Sequence, residues 1–305
     1  MERASPETHL LNRRGHASRL QLPRQQFKPH RPALIGAAII FLITLAAIFA
    51  PVLSPYDPEK SHLEVRVQAP SPQHILGTDD LGRDLFTRIL YGSRISLAIG
   101  LLAMALAVTV GTLIGAAAGF YGGWVDGILM RVTDVFLAFP RLFVLILLTT
   151  ILRQLNLPWL PASSFVPIAF VIGLLSWMSI ARLVRASYLS IKEREFVEAA
   201  RGTGARNARI MFRHILPNAV SPIIVAATLG VAASILTESG LSYLGFGVQL
   251  PTPTWGNLLQ NAQAQMTYAP WLALFPGLTI FCTVIAINYV GDGLRDALDP
   301  RRGGK

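Results

Sequence analysis

The sequence predicts an all-α integral membrane protein of six transmembrane helices with both termini in the cytoplasm. Composition, the spacing of long apolar runs and the distribution of basic residues carry that expectation. Of 305 residues 52% are hydrophobic and only 14% charged, a balance that a water-solvated domain does not sustain. The net charge of +10 lies between the apolar runs and not on one basic face, which argues for topology-setting loops and against nucleic acid. The single cysteine, Cys282, sits inside an apolar run, so neither an intrachain disulfide nor a cysteine metal cluster is available.

A bilayer core requires roughly 20 mostly apolar residues per helix. Five runs meet that requirement: Leu34 to Leu53, Leu97 to Phe120, Ser163 to Ile180, Val220 to Leu236, and Trp271 to Val290. A weaker run, Leu142 to Leu160, contains Arg153 and follows Pro140 and Arg141. It is kept as the third span because the later loops otherwise fall on the wrong sides. With the N-terminus inside, cytoplasmic segments hold 21 Lys and Arg against 6 on the other side, the bias that orients membrane proteins. The first run reads as an anchor and not a secretory signal, since no A-x-A site ends it. The expected organisation is a basic tail over 1–32, the first helix and an outer loop over 33–94, a five-helix core over 95–292 with a cytoplasmic loop at 182–218, and a C-terminal tail over 293–305. The N-terminal tail, with Arg13, Arg14, Arg19, Arg24, Lys28 and Arg31, is polar and aperiodic. It suits an unstructured segment or one lying on anionic lipid.

Gly111, Gly115 and Gly119 recur at four-residue spacing in the second run, a pattern that lets a neighbouring helix approach closely. The five clear runs contain no Asp, Glu, Lys, Arg or His. Ion-coupled transport places such groups in the membrane, so their absence disfavours a secondary transporter. No phosphate-binding G-x-x-x-x-G-K-[ST], H-E-x-x-H or G-x-S-x-G motif occurs, so no enzyme is indicated and any ATP hydrolysis belongs to another chain.

The loop Arg182 to Asn218 contains helix-favouring Glu195-Phe-Val-Glu-Ala-Ala-Arg, a break at Gly202-Thr203-Gly204, and a second helical stretch running to Leu216 ahead of Pro217. The outcome is a helix-turn-helix elbow in which Phe196 shares a face with Ala199 or Ala200, while Glu195 and Glu198 lie nearer solvent. Glu198-Ala199-Ala200, Gly204 and Ile215-Leu216-Pro217 resemble the EAA loop of bacterial binding-protein-dependent ABC importer permeases. The resemblance implies that Glu198, Ala199, Ala200 and Gly204 couple to an ATPase subunit, within an elbow that also includes Glu195, Gly202, Ile215, Leu216 and Pro217. Gly202-Thr203 stands where these permeases often carry a bulkier pair.

The stretch His74 to Leu97, together with Asp134-Val-Phe-Leu-Ala-Phe-Pro140 and Glu238-Ser-Gly-Leu-Ser-Tyr-Leu-Gly-Phe-Gly247, is similar to C-type subunits of dipeptide and oligopeptide permeases. The likeness runs from about Leu34 to Asp299. It implies the type I ABC importer permease fold in a bacterial inner membrane. The implied partners are a second homologous permease subunit, two ABC ATPase subunits that bind ATP and Mg, an extracytoplasmic substrate-binding protein and a peptide cargo, with no cofactor on this chain. Relatives of that type also carry nickel complexes or glutathione.

Two charged groups have competing readings. Between His74 and Arg94, Asp80 with Arg83 and Asp84 with Arg88 fit i,i+3 and i,i+4 pairs on a short surface helix; the alternative is a metal site from His74, Asp79 and Asp80. Glu238, the one charge between Leu236 and Trp271, either meets a peptide amino group at the pathway mouth or pairs within the assembly.

Overall fold

A computed structural model describes residues 31–155 and 165–298. The expected positions at Arg13, Arg14, Arg19, Arg24 and Lys28, the third-span end at Leu160, the fourth-span start at Ser163 and the tail from 299 lie outside the described residues. Among the described residues the chain is helical, with one isolated bridge between Thr78 and Asp84. The helices are α1 (Arg31–Ile48), α2 (Ala50–Leu53), α3 (Leu85–Tyr121), α4 (Gly123–Ala138), α5 (Arg141–Gln154), α6 (Val166–Leu174), α7 (Trp177–Ile191), α8 (Glu195–Gly202), α9 (Asn207–Arg209), α10 (Leu216–Tyr243), α11 (Trp255–Ala262) and α12 (Trp271–Leu298). Four are long and apolar enough to cross a membrane, counting Asn207–Tyr243 as one, and six spans result if each of two bent pairs is one.

The sharper bend has a local cause. Pro140 holds Phe139 in extended backbone at φ −81°, ψ 140°, and α5 leaves α4 at 91°. The segment expected as a loop between the second and third spans is therefore helix α4, because only the Pro140 step, and not the whole segment, resists helical geometry. Of the third span, α5 is described as far as Gln154. Arg153, the blemish in that run, donates to the carbonyl of Gly247. Helix α3 begins twelve residues before the expected Leu97, because Asp84 caps it by accepting from the Thr87 backbone N–H at 2.8 Å.

Helix α3 is the central element, packed along α7 and against α10, α6, α4 and α1, while α12 packs along α1 and α10. In lipid no hydrophobic drive joins helices, so close approach and dispersion hold them. A Cβ at Gly111 would stand 2.6 Å from the Trp177 carbonyl oxygen, at Gly115 2.4 Å from that of Ala181, and at Gly119 2.6 Å from the Tyr188 Cβ. The three glycines thus form the surface on which α7 lies. The outer surface is apolar, with Phe41, Trp124, Phe143 and Phe281 exposed, the arrangement that a hydrocarbon solvent requires.

Candidate functional site

The elbow joins α7 to α10 at one end of the bundle. Helix α8 carries Glu195 and Glu198 in its first turn and Arg201 in its last, each sign at the favourable end of the helix dipole. Its C-terminus closes in a Schellman arrangement: Ala205 N–H donates to the Ala200 carbonyl at 3.1 Å and Gly204 N–H to that of Arg201 at 2.9 Å. Gly204 sits at φ +76°, the left-handed region that glycine enters without steric cost. Gly202 has no positive φ, and it closes the helix.

One face of the elbow is locked to the bundle. Val197, Ala200, Ile210, Met211 and Ile215 are buried with Phe120, Val184 and Tyr188, and the Tyr188 hydroxyl donates to the Met211 carbonyl at 3.0 Å. Lys192 Nζ reaches the Gly119 carbonyl at the end of α3 at 3.2 Å. The other face, Glu195, Phe196, Glu198 and Ala199, is exposed, Phe196 at 43%. Phe196 thus shares its face with Ala199, whereas Ala200 points inward.

Beyond the turn the expected stop before Pro217 is absent. A π-helical segment, Ile210–Ile215, leads into Leu216, and Pro217 lies in the first turn of α10. The π turn ahead of it, in which the Leu216 N–H donates to the Met211 carbonyl, widens the ladder where Pro217 lacks an N–H, so the elbow continues rigidly into the fifth span. Leu216 is half-buried and Pro217 exposed. Two ion pairs absent from the sequence reading brace this end: Arg185 Nη2 donates to Asp126 Oδ2 at 2.6 Å and Arg182 pairs with Asp134. Their signal was the three-residue spacing of the arginines and the eight-residue spacing of the aspartates, which face each other once α4 is a helix.

At the opposite end the charges of the His74 to Arg94 stretch are folded inward. Asp79 accepts from Arg83 Nε at 2.7 Å and lies 3.6 Å from Arg88 Nε. Asp84 accepts from the Thr87 hydroxyl at 2.8 Å and stands 2.9 Å from His74 Nδ1. The expected Asp84–Arg88 pair is not formed, because Asp84 is used as the helix cap; Asp80 and Arg83 approach only to 3.9 Å. There is no separate surface helix, and no metal-competent cluster occurs among the described residues.

Glu238 is fully buried, contrary to an exposed interfacial carboxylate. It accepts from the Ser242 hydroxyl at 2.6 Å and from the Ser239 hydroxyl at 3.5 Å, and the Ser96 and Thr254 hydroxyls lie near it. Thr254 and Asn257 form a reciprocal capping box on α11, and Trp255 Nε1 donates to Ser93 at 3.2 Å. The sequence reading missed Ser93, Ser96, Thr254 and Asn257; the Thr254-Trp-Gly-Asn257 spacing was the available signal. This network ties α10 to α3 and α11. Glu238→Leu removes the shared acceptor and leaves buried hydroxyls unpaired, at about 1–3 kcal/mol, whereas Glu238→Gln keeps one carbonyl. The expected order of thermal unfolding midpoints in detergent is parent, Gln, Leu; identical midpoints would contradict a stabilising role.

Residues 111–304 match the family described as binding-protein-dependent transport system inner membrane component, and residues 18–70 match the N-terminal TM domain of oligopeptide transport permease C. The chain is 42% identical over 277 residues to the dipeptide transport system permease protein of Alkalihalophilus pseudofirmus, covering 91% of this chain and 88% of the relative. It is 42% identical to the oligopeptide transport system permease protein of Bacillus subtilis, covering 90% and 88%. To the glutathione transport system permease protein of Pectobacterium atrosepticum it is also 42% identical, covering 91% and 89%. This chain belongs to the family of inner-membrane components of binding-protein-dependent transport systems.

Proposed function

We propose that the chain is the permease subunit of an ATP-driven importer of dipeptides and oligopeptides, forming half of a pathway and one docking elbow for an ATPase. The observation that carries the reading is the two-faced elbow. Its buried side is keyed to α3 and α7 through Val197, Met211 and Tyr188, and its exposed side presents Glu195, Phe196 and Glu198. Motion of a partner seated on that side passes into α10 without a flexible joint, because the π segment and α10 are continuous. Glu195, Glu198, Ala199, Ala200, Gly202, Gly204, Ile215, Leu216 and Pro217 make up the coupling segment.

In this reading six spans cross the inner membrane, with the elbow and both tails in the cytoplasm and the loop 54–84 outside, as the 21 to 6 division of basic residues supports. A second homologous permease completes the pathway. Two ATPase subunits bind ATP and Mg, and this chain turns over no nucleotide itself. A binding protein outside delivers the cargo. ATP-driven closure of the ATPases moves the elbows and shifts the pathway from inward to outward facing.

Peptide cargo is supported by the relatives named for dipeptide and oligopeptide transport. Glutathione, itself a small peptide, is a second reading because a relative named for its transport is equally identical. The test is uptake by proteoliposomes holding the complete complex, with its binding protein outside and ATP inside. Uptake of dipeptides and tetrapeptides supports the first reading, uptake of glutathione alone the second, and ATP-independent uptake driven by an ion gradient contradicts both.

A further inference from the structure

Arg141 precedes the weaker apolar run and counts with the inner segment by sequence, yet the fold lifts its guanidinium to membrane depth. Its Nη2 donates to the Ser176 hydroxyl at 2.8 Å, and Ser176 lies inside the run Ser163 to Ile180. The carbonyl oxygen of the next residue, Trp177, faces Gly111 of α3. Gly111 stands nine residues before Phe120, the inner end of the second run, and so about 14 Å along the helix from it. Nearer the elbow Asp134 pairs with Arg182 and Asp126 with Arg185. Arg141 has no carboxylate partner among the described residues, and its side chain is exposed, with the bond to Ser176 leaving the other guanidinium N–H groups open.

An ionised group at such depth is costly, and it sits where water or a charged partner meets it. The backbone points the same way. Arg141 follows the 91° break between α4 and α5, and Ser176 occupies the 41° break between α6 and α7. Phe139 and Pro140 at the first break are exposed, and non-helical backbone at membrane depth is tolerated against protein or in a water-filled cavity but not against lipid. A guanidinium with open N–H groups binds a carboxylate through paired, charge-assisted hydrogen bonds. Every linear peptide with a free C-terminus carries a carboxylate there, whatever its side chains. We propose that Arg141, held by Ser176 where the two helix breaks meet, binds the C-terminal carboxylate of the peptide cargo inside the pathway. The inference rests on the peptide-importer reading above.

The test uses the complete complex in proteoliposomes, with its binding protein outside and ATP inside, and compares trialanine with its C-terminal amide. The same binding protein serves parent and variant, so its own preference cancels when their uptake rates are divided. Arg141→Gln should lower trialanine uptake about tenfold and leave amide uptake within about twofold, and Arg141→Lys should recover part of the loss. A second measurement needs no amide: a radiolabelled tripeptide ending in benzoylphenylalanine, illuminated during turnover, should label the first turns of α5. That labelling should fall about tenfold in Arg141→Gln. Equal losses for acid and amide, unchanged uptake of both, loss of the assembled complex in the Gln variant, as pairing with the second permease would give, or labelling confined to other segments would overturn the Arg141 site alone. Absence of ATP-driven peptide uptake by the parent complex would overturn the importer reading, and the site with it.

Discussion

Gly204→Val is expected to lower ATP-driven uptake about tenfold or more while leaving membrane insertion intact. Gly204 closes the Schellman turn at φ +76°, where an L-residue costs about 1–2 kcal/mol and a β-branched one more. A factor of ten corresponds to about 1.4 kcal/mol, so the strained elbow spends only a small fraction of its time in the docking geometry. No atom lies within 4 Å of a Cβ built at Gly204, so the loss tests backbone conformation and not a clash. Asparagine tolerates this region, and the expected order in proteoliposome uptake is parent, Asn, Ala, Val. Parent-level uptake by the Val variant would contradict the coupling role of the turn.

Gly115→Leu is expected to have a larger effect, the loss of the chain from any assembled complex. Here the contact is with main chain: even a methyl group would come 2.4 Å from the Ala181 carbonyl oxygen and 2.8 Å from the Val184 Cβ. Side-chain rotation cannot relieve that approach, so α3 and α7 must separate along the stripe that includes Gly111 and Gly119. Overpacking of this kind commonly costs about 1–3 kcal/mol per site and more where backbone must move. Gly127→Leu is the control, because nothing lies within 4 Å of that position. Recovery of each variant with its partners after detergent extraction measures the difference; equal recovery would show that the α3–α7 contact is dispensable.

The parts legible in the sequence were those governed by local chemistry. Apolar length marked the core helices, and a Gly-Thr-Gly step between helix formers marked the turn. The elbow's inward face was not legible, since Val197 and Ala200 are distinguished from Phe196 and Ala199 only by where Phe120 and Tyr188 stand. Pro217 was misread as a terminator because nothing local in the sequence marks the π turn at Ile210–Ile215 that lets the helix run on through a proline. The charged stretch after His74 suggested a solvated surface helix because spacing alone suits Asp84–Arg88 equally well. Tertiary folding instead gives Asp84 to the α3 cap and His74, and turns Arg88 toward Asp79 and the Pro58 carbonyl, 2.9 Å away. The burial of Glu238 was not legible because Ser96 and Thr254, whose hydroxyls lie near its carboxylate, are far away in the chain.

In the proposed importer the exposed face of the elbow seats the ATPase. Photo-crosslinking in membrane vesicles of the complete complex tests it directly, with benzoylphenylalanine placed at Phe196 on that face or at Gln73 in the loop at the other end, both exposed. Capture of the ATPase subunit is expected from Phe196 and none from Gln73. Capture from Gln73, or no capture from Phe196 in a complex that retains its ATPase, would contradict it.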